Sequence, residues 1–196
     1  MVLPDLADAT GRTRHLAVGA GKDSHLYVVD RDAMGKWNAS SNQNYQDITG
    51  ALGGSVFSMP AYFNNTVYYG ASGSTLRAFS VTSARLSSAA VSASAASFGF
   101  PGTTPSVSAT GSANGIVWAV ENGNPAVLHA YDAGDLSHEL YNSSQAPNSR
   151  DAFGVGNKFI TPTIANGRVY VGTTNGVGVF GMFGPATPIN IRIIPQ

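Results

Sequence analysis

GIVWAVENGNPAVLHAYDA, residues 115–133, is an apolar run, a polar turn and a second apolar run. Short stretches rich in Val, Ile and aromatic residues favour β-strands, and Asn, Gly and Pro between them favour a turn. The segment therefore predicts a β-hairpin. The same pattern occurs three more times, at residues 15–30 (HLAVGAGKDSHLYVVD), 65–81 (NTVYYGASGSTLRAFSV) and 167–183 (GRVYVGTTNGVGVFGMF).

The four hairpins recur with a nearly constant period. Successive spacings are 52, 50 and 52 residues, counted along the equivalent positions Leu16, Tyr68, Trp118 and Tyr170. Self-similarity at a fixed period of this length is the signature of repeat architectures. Because aromatic side chains at equivalent positions of such repeats pack between neighbouring units, we expect Tyr68, Tyr69, Trp118 and Tyr170 to be core residues.

A proline stands before three of the hairpins, in SMPAY (58–62), TPSV (104–107) and TPTIANG (161–167). Proline lacks an N–H group and suits the first residue of a strand, so these motifs predict the first strand of each repeat. Three or four short strands in about fifty residues, with almost no helical periodicity, predict an all-β fold. We expect a β-propeller of about four four-stranded blades, with helix close to absent.

The propeller is predicted over residues 1–184, with blades at roughly 10–50, 51–100, 101–150 and 151–184. Residues 87–102 (SSAAVSASAASFGFPG) are small and show no periodicity, and are predicted to be a long loop. Residues 185–196 are predicted to be a tail, a linker or a closing strand. Four blades leave an open arc with exposed edges. The chain is therefore expected to be a fragment, or to pair with a second chain or missing blades.

Composition narrows the function classes. Eleven basic and eleven acidic residues give a net charge of zero, which disfavours nucleic-acid binding and attraction to an anionic membrane. The absence of Cys excludes disulfides, thiol catalysis and cysteine-ligated metals. The sequence as written shows no secretion signal and no apolar run long enough to span a membrane.

Two segments partly match the sequence patterns of known phosphate-binding and calcium-binding loops, but each lacks a required residue. Residues 19–24 (GAGKDS) suggest a phosphate loop, but Asp23 follows the lysine where Ser or Thr is required, so a hairpin turn is predicted. Residues 30–35 (DRDAMG) share the opening of a calcium loop, but Met34 replaces an oxygen ligand. Asp30 and Asp32 are predicted to cap their own turn.

The remaining polar candidates indicate structural roles. The four histidines, His15, His25, His129 and His138, lack the spacing of zinc sites, although His129 and His138 could meet across one hairpin near Glu139. The carboxylates Asp132, Asp135 and Glu139 are explained by a turn and a strand. No nucleophile motif is present. We therefore predict no catalytic, cofactor-binding or metal-binding residue, and note Tyr45 and Phe153 as exposed aromatics that could stack on a ligand.

Two stretches carry a family resemblance. They are LYVVD (26–30) followed by MGKW (34–37), and LHAYDA (128–133) followed by LSHELY (136–141). They resemble the PQQ-like (pyrroloquinoline-quinone-type) repeat, and nearly the whole chain resembles the C-terminal half of bacterial propellers of that family. The resemblance implies a Trp that docks neighbouring blades, here Trp37 with Tyr141 as a substitute. It also implies an extracytoplasmic setting, periplasmic or secreted.

The resemblance implies the fold more strongly than the cofactor. Quinoprotein dehydrogenases of this kind have an adjacent Cys pair, and their calcium and cofactor ligands lie around a complete ring, whereas this chain has no Cys and about half a ring. We therefore expect a non-catalytic scaffold or binding module with a protein or carbohydrate partner and no cofactor. A degenerate or truncated dehydrogenase that binds PQQ with calcium is the alternative.

Overall fold

The computed structural model describes residues 1–181 of the chain. In that part the regular structure is β-strand, apart from a short 3-10 helix at Pro147–Ser149. This confirms the all-β prediction. No helix within these residues has the length and apolar character needed to cross a bilayer.

The N-terminal residues form a small ribbon and the first sheet. Residues 1–3 run beside the first long strand, because the amide of Val18 donates to the carbonyl of Met1 at 2.8 Å. Residues 1–3 therefore lie along the edge of the first sheet, although they precede the predicted start of the first blade at residue 10. The ribbon pairs β1 (Leu6–Ala7) with β2 (Thr13–Arg14), and the sheet has the order β3 (Leu16–Ala20), β4 (Leu26–Asp30) and β5 (Gln46–Ile48).

The other three sheets are antiparallel meanders that follow one another along the chain. The second sheet contains β6 (Ala61–Phe63), β7 (Thr66–Gly70), β8 (Ser74–Thr82), β9 (Arg85–Leu86) and β10 (Ser92–Phe98), with β9 paired to the end of β8. The third contains β11 (Ser106–Thr110), β12 (Ala113–Glu121), β13 (Val127–Asp132) and β14 (Glu139–Asn142). The fourth contains β15 (Thr163–Ala165), β16 (Arg168–Gly172) and β17 (Val177–Gly181). The predicted tail at residues 185–196 lies outside the described residues.

The proline motifs mark strand starts as predicted. β6 begins one residue after Pro60, β11 one residue after Pro105, and β15 one residue after Pro162. Each of these strands is the first of its sheet and pairs on one side with the next strand. The missing N–H of proline therefore falls outside the ladder, where it breaks no pair.

Residues 87–102 contain a strand, so the prediction of a long loop there is wrong. β10 is the outer strand of the second sheet, although Ser and Ala have little preference for strands. Its partner stabilises it, because Ser94 Oγ accepts a hydrogen bond from the Leu76 amide at 2.9 Å and Phe98 is buried. The register against β8 shifts between Ala93 and Ser97, which explains why the sequence shows no regular alternation.

Three apolar clusters join the sheets face to face. The first contains Val18 and Val28 of the first sheet with Val67 and Phe79 of the second. The second cluster joins the second and third sheets, and the third cluster joins the third and fourth. The first strand of the third sheet, β11, also contacts the first strands β6 and β15 of the sheets on either side. Sheets stacked around their first strands are propeller blades, so the described residues form a partial, open β-propeller of four blades.

The blade-packing aromatics only partly follow the prediction. Tyr68 and Tyr69 are each 1% exposed, whereas Trp118 and Tyr170 are half-buried. Trp37 docks on no blade among the described residues, because its side chain is 88% exposed in the segment between β4 and β5, so that expectation is wrong. Tyr141 is the better docking residue, since it packs against the cluster between the third and fourth blades.

Candidate binding surface

The two loop-like motifs are turns, as predicted. Residues 21–25 connect β3 to β4 as a hairpin turn with no helix after it. Asp30 caps its own turn, because its Oδ1 accepts a hydrogen bond from the Asp32 amide at 3.0 Å. Asp32 differs from the prediction, since its carboxylate contacts His15 Nδ1 at 2.7 Å and caps no backbone N–H shown by the structure.

Each histidine lies beside a carboxylate. The separations are 2.7 Å for His15–Asp32, 2.8 Å for His25–Asp47, 2.6 Å for His129–Glu139 and 3.8 Å for His138–Asp132. The structure thus places His129 beside Glu139 and places His138 beside Asp132 instead. Over residues 1–181 no group of three or more His, Asp or Glu side chains is arranged to hold a metal ion.

His129 is buried and lies beside a carboxylate, as the histidine base of a catalytic triad does. His129 is 5% exposed, stacks on Tyr131 at 5.8 Å between ring centroids, and meets the edge of Phe98 at 5.5 Å. Burial raises the pKa of Glu139, but hydrogen bonds from His129 and Asn142 hold it below its usual value. A carboxylate and the imidazole that it orients are two of the three members of a catalytic triad.

The third member of a triad, a nucleophile beside the imidazole, is not found within residues 1–181. His129 Nε2 is buried and has no hydrogen-bond partner among residues 1–181, and a carboxylate oxygen of Glu121 lies 3.6 Å away. A triad needs a hydroxyl or thiol at this nitrogen and a path for substrate. His129, Tyr131 and Phe98 instead fill the contact between the second and third blades.

The most distinctive surface feature is a row of exposed aromatic rings. Phe57, Phe100 and Phe159 lie in the three connections between successive blades and are 37%, 53% and 61% exposed. The rings of Phe57 and Phe100 meet edge to face at 5.2 Å, and those of Phe100 and Phe159 at 6.5 Å. We call Phe57, Phe100 and Phe159 the aromatic row. Three loops that are far apart in sequence thus converge at one surface.

Two lysines border the aromatic row. Lys22 Nζ lies 5.4 Å from the centre of the Phe57 ring, and Lys158 Nζ lies 5.1 Å from the centre of the Phe100 ring. Both lysines are exposed. Cations at this distance from a ring face are attracted to its π electrons, which keeps the ammonium groups beside the row. The surface is therefore apolar in the middle and positively charged at its border.

Phe159 has a strained backbone. Its φ is 64°, in the left-handed region, whereas the other described non-glycine residues with positive φ are all Ser, Ala or Asn. A bulky residue in this region costs roughly 1–3 kcal/mol, and such strain concentrates at functional sites. The backbone of Phe159 is thus strained, although its ring is mostly in solvent and adds little to the core.

The loop that carries Phe159 is fixed to its surroundings. The Gly156 amide donates to the Gly123 carbonyl at 2.8 Å, and the Thr174 amide donates to the Val155 carbonyl at 3.2 Å. Phe153 lies 1% exposed against Phe180, with ring centroids 5.1 Å apart. The loop is therefore tied to turns of the third and fourth blades, which positions Phe159 in advance of any contact.

A buried carboxylate holds the start of the same loop. Asp151 is 4% exposed and accepts hydrogen bonds from Arg150 Nε at 2.7 Å and Tyr141 Oη at 2.6 Å. The Arg150 guanidinium, assisted by the Tyr141 hydroxyl, holds the pKa of Asp151 below its usual range despite burial. Asp151 thereby links the docking residue Tyr141 to the loop.

We expect Asp151→Asn to lower the free energy of unfolding by roughly 2 kcal/mol near neutral pH, because hydrogen bonds to charged groups contribute about 1.5–3 kcal/mol. A depressed folded-state pKa stabilises the fold above the ordinary Asp pKa of about 3.9, and this contribution is lost as pH falls toward the folded-state value. Urea unfolding of both proteins should therefore show a difference that shrinks in acid. Asp5→Asn, at a 69% exposed side chain, is the control. A difference that does not change with pH would contradict this role.

The sequence prediction missed the aromatic row and misplaced one aromatic. Phe153 is buried, so the expectation that it is an exposed stacking residue is wrong, and Tyr45 is half-buried beneath the guanidinium of Arg85 at 4.8 Å. The usable signal was position: Phe57 and Phe159 each stand three residues before a strand-starting proline. Phe100 stands five residues before the equivalent proline.

No family model matches the chain, and no curated protein matches it. Among solved structures, the β-propeller domain of Myceliophteria thermophila Cps50 (Swd1) aligns with a TM-score of 0.53 at 10% identity. That alignment covers 99% of this chain and 57% of the other, so the chain spans little more than half of that domain. A computationally designed protein, Ika8, aligns over 90% of this chain and 48% of its own, with 16% identity and a TM-score of 0.48. The likeness to the Swd1 domain supports the β-propeller fold.

Proposed function

We propose that this chain is a non-catalytic β-propeller module that binds a protein partner through the aromatic row. The observation that carries the proposal is the convergence of Phe57, Phe100 and Phe159 from three separate blade connections into one exposed, contacting set. Exposed apolar groups that lie together mark interaction sites, and aromatic residues are enriched in the centres of protein interfaces.

The chemistry of the row favours a protein over a carbohydrate. Phenylalanine rings carry no hydrogen-bonding group, and the neighbouring exposed side chains in the same connections include Met59 and Val155, which are also apolar. A site that orients a sugar needs polar groups placed for its hydroxyls. An apolar row instead suits the side chains of a peptide segment.

The lysines define the partner further. Lys22 and Lys158 place two positive charges beside the row. A partner segment with apolar side chains for the rings and carboxylates for the ammonium groups would be complementary. We therefore assign an acidic, apolar peptide segment as the partner class.

The test uses a short fluorescent peptide of alternating leucine and glutamate, with binding followed by fluorescence anisotropy. We expect Phe100→Ala to weaken binding at least about tenfold, or 1.4 kcal/mol, because Phe100 contacts both other rings and lies at the centre of the row. Leu140→Ala is the matched control, since Leu140 is 44% exposed on β14 outside the row.

Three outcomes would overturn the assignment. Equal binding of a leucine–lysine peptide would remove the role of the two lysines. Unchanged affinity in Phe100→Ala would place binding elsewhere on the protein. Failure of the acidic peptide to bind would reject a protein as the partner. If an oligosaccharide of uronic acids bound instead, the partner class would be a carbohydrate.

The repeat resemblance supports a family and a location as further proposals. We propose that the blades are PQQ-like repeats of a bacterial protein that works in the periplasm or outside the cell. The support lies in residues 26–30 with 34–37 and residues 128–133 with 136–141. In the structure both strand segments end at an aspartate-containing turn after a buried strand, at Asp30 and Asp132.

The dehydrogenase alternative fits the residues poorly. The quinoproteins that the repeats resemble have a Cys pair over the cofactor, and this chain has no Cys. No set of three His, Asp or Glu side chains within residues 1–181 suits calcium. We propose that the chain is not an enzyme. A stoichiometric spectral change on addition of PQQ with calcium, together with dye-linked oxidation of an alcohol or sugar, would reject this proposal.

We also propose that the two ends of the arc are covered in the working protein. An open propeller leaves one face of its first blade and one face of its last blade without a neighbouring blade. Apolar faces of this kind promote association when they stay in water.

A further inference from the structure

The repeat positions show which face of each blade points to which neighbour. Leu16 lies in the cluster shared with the second blade, Tyr68 in that shared with the third, and Trp118 packs on that shared with the fourth. Each therefore faces the following blade. By the same spacing Tyr170 is the next member of the series and faces the place of a fifth blade.

The residues one position later face the preceding blade. Tyr69, Ala119 and Val171 are at most 1% exposed, because each lies in the cluster formed with the blade before it. Ala17 is the equivalent residue of the first blade and is only half-buried. It faces the place of a blade before the first.

The face around Ala17 is an open apolar groove. The groove has a volume of about 370 Å³ and is lined by Ala17, Gly19, Tyr27, Val29 and Met34 among others. A Cβ placed on Gly19 would meet no atom of the described residues within 4 Å, and Met34 is 67% exposed. Side-chain volume could therefore be added here without a clash in the single chain.

The opposite face of the fourth blade carries larger side chains. Tyr170 and Val179 are opposite each other on β16 and β17, are half-buried, and lie near Val177, which is 43% exposed. Their neighbours Val169, Val171 and Phe180 point the other way, into the cluster with the third blade. The outer face is thus an apolar ridge with a tyrosine at its centre.

We propose that the fourth blade of one copy packs its Tyr170 face into the Ala17 groove of a second copy, and that two such contacts close a ring of eight blades. Two of the three internal contacts provide the template: Tyr68 shares a cluster with Ala119, and Trp118 packs on the cluster that contains Val171. In the remaining contact Leu16 shares a cluster with the larger Tyr69. In both of the template contacts a large ring of one blade lies in or on the cluster that contains a smaller residue of the next blade. Tyr170 with Ala17 repeats that pairing.

This inference rests on the proposal that the ends of the arc are covered, and it names the occupant. Contacts between different faces form a closed ring when the rotation closes and a filament when it does not. Propellers of up to about eight blades are common. Two four-blade arcs would therefore give a closed ring with a blade number that propellers commonly have. The missing blades of a longer chain are the competing occupant.

The test is the mass of the full chain in solution, measured by light scattering after size exclusion. We expect twice the chain mass of 20.2 kDa for the wild type. Gly19→Lys is expected to give a folded monomer, because the new side chain fills the groove. The matched control is Gly99→Lys, at a second glycine where an added Cβ meets nothing within 4 Å, and it should remain a dimer.

A mixing experiment makes the contact specific. Ala17→Lys and Tyr170→Glu should each be monomeric alone, because each places an unpaired charge in both contacts of the ring. A mixture of the two should form a dimer in which one contact is unaltered and the other pairs Lys with Glu. Failure of the mixture to associate, while the wild type dimerises, would overturn the head-to-tail contact.

Other results would overturn the inference in distinguishable ways. A folded wild-type monomer at high concentration, or a dimer unaffected by Gly19→Lys, would reject the second copy as occupant. If the wild type formed a series of oligomers larger than a dimer, and Gly19→Lys reduced their size, the contact would be open-ended and the closed ring would be rejected. Peptide binding measured on the wild type and on Gly19→Lys reports separately on the aromatic row, so loss of the dimer with retained binding would leave the proposed function standing.

Discussion

Phe153→Ala is expected to lower the free energy of unfolding by about 3–5 kcal/mol, whereas Phe159→Ala on the same loop should change it by less than about 1 kcal/mol. Phe153 is 1% exposed, and its ring lies against Phe180 and directly over Gly178. Its removal leaves a cavity beside the fourth blade. Phe159 is 61% exposed, so its removal exposes no core.

The two phenylalanines should also differ in binding, in the opposite sense. Phe159→Ala should weaken the binding of the acidic peptide and leave the free energy of unfolding nearly unchanged. Phe159→Gly should in addition raise stability by up to about 1 kcal/mol, because glycine relieves the left-handed backbone at φ 64°. Urea unfolding and fluorescence anisotropy on the same variants measure both effects. Equal losses of stability in Phe153→Ala and Phe159→Ala would contradict the placement of the loop.

Tyr68→Ala is expected to lower the free energy of unfolding by about 3–5 kcal/mol. Tyr68 is 1% exposed between the second and third blades, and its hydroxyl donates to the Ala133 carbonyl at 2.7 Å. The substitution removes a buried ring and leaves that carbonyl without its partner, a loss of about 1–3 kcal/mol by itself. Tyr68→Phe isolates this part, since it keeps the ring.

Tyr170→Ala occupies the equivalent repeat position and is the matched control. At protein concentrations low enough to keep the chain monomeric, it should cost about 1 kcal/mol or less, because no blade covers Tyr170 within the described residues. Thermal or urea unfolding of the two variants gives the comparison. Equal losses at the two positions would show that the fourth blade is covered on its outer face within the single chain.

The hairpins and the strand starts followed from the sequence because their causes are local. Alternation of apolar residues around Gly and Asn turns, and prolines that tolerate only a strand's first position, act within a few residues. The fifty-residue period then placed Tyr68 and Tyr69 in the core. The fold could be inferred because the same local solution is repeated four times.

The errors arose where neighbouring blades decide the outcome. β10 is a strand of Ser and Ala because β8 and the core residue Phe98 hold it, and nothing in its own composition indicates this. Phe153 and Phe159 are the same residue type on one loop, yet one is buried and the other exposed. The aromatic row joins three loops separated by more than forty residues each, so its existence depends on how the blades turn about their first strands.

The connections between successive blades converge to form the aromatic row, and the distance between these connections can be tested in solution. Because the chain has no Cys, pairs of cysteines can be introduced on a clean background. Phe57→Cys with Phe100→Cys should react rapidly with a short thiol-specific cross-linker, since the native rings lie 5.2 Å apart, and Phe57→Cys with Leu140→Cys should not. Equal cross-linking of the two pairs, or none in either, would contradict the convergence.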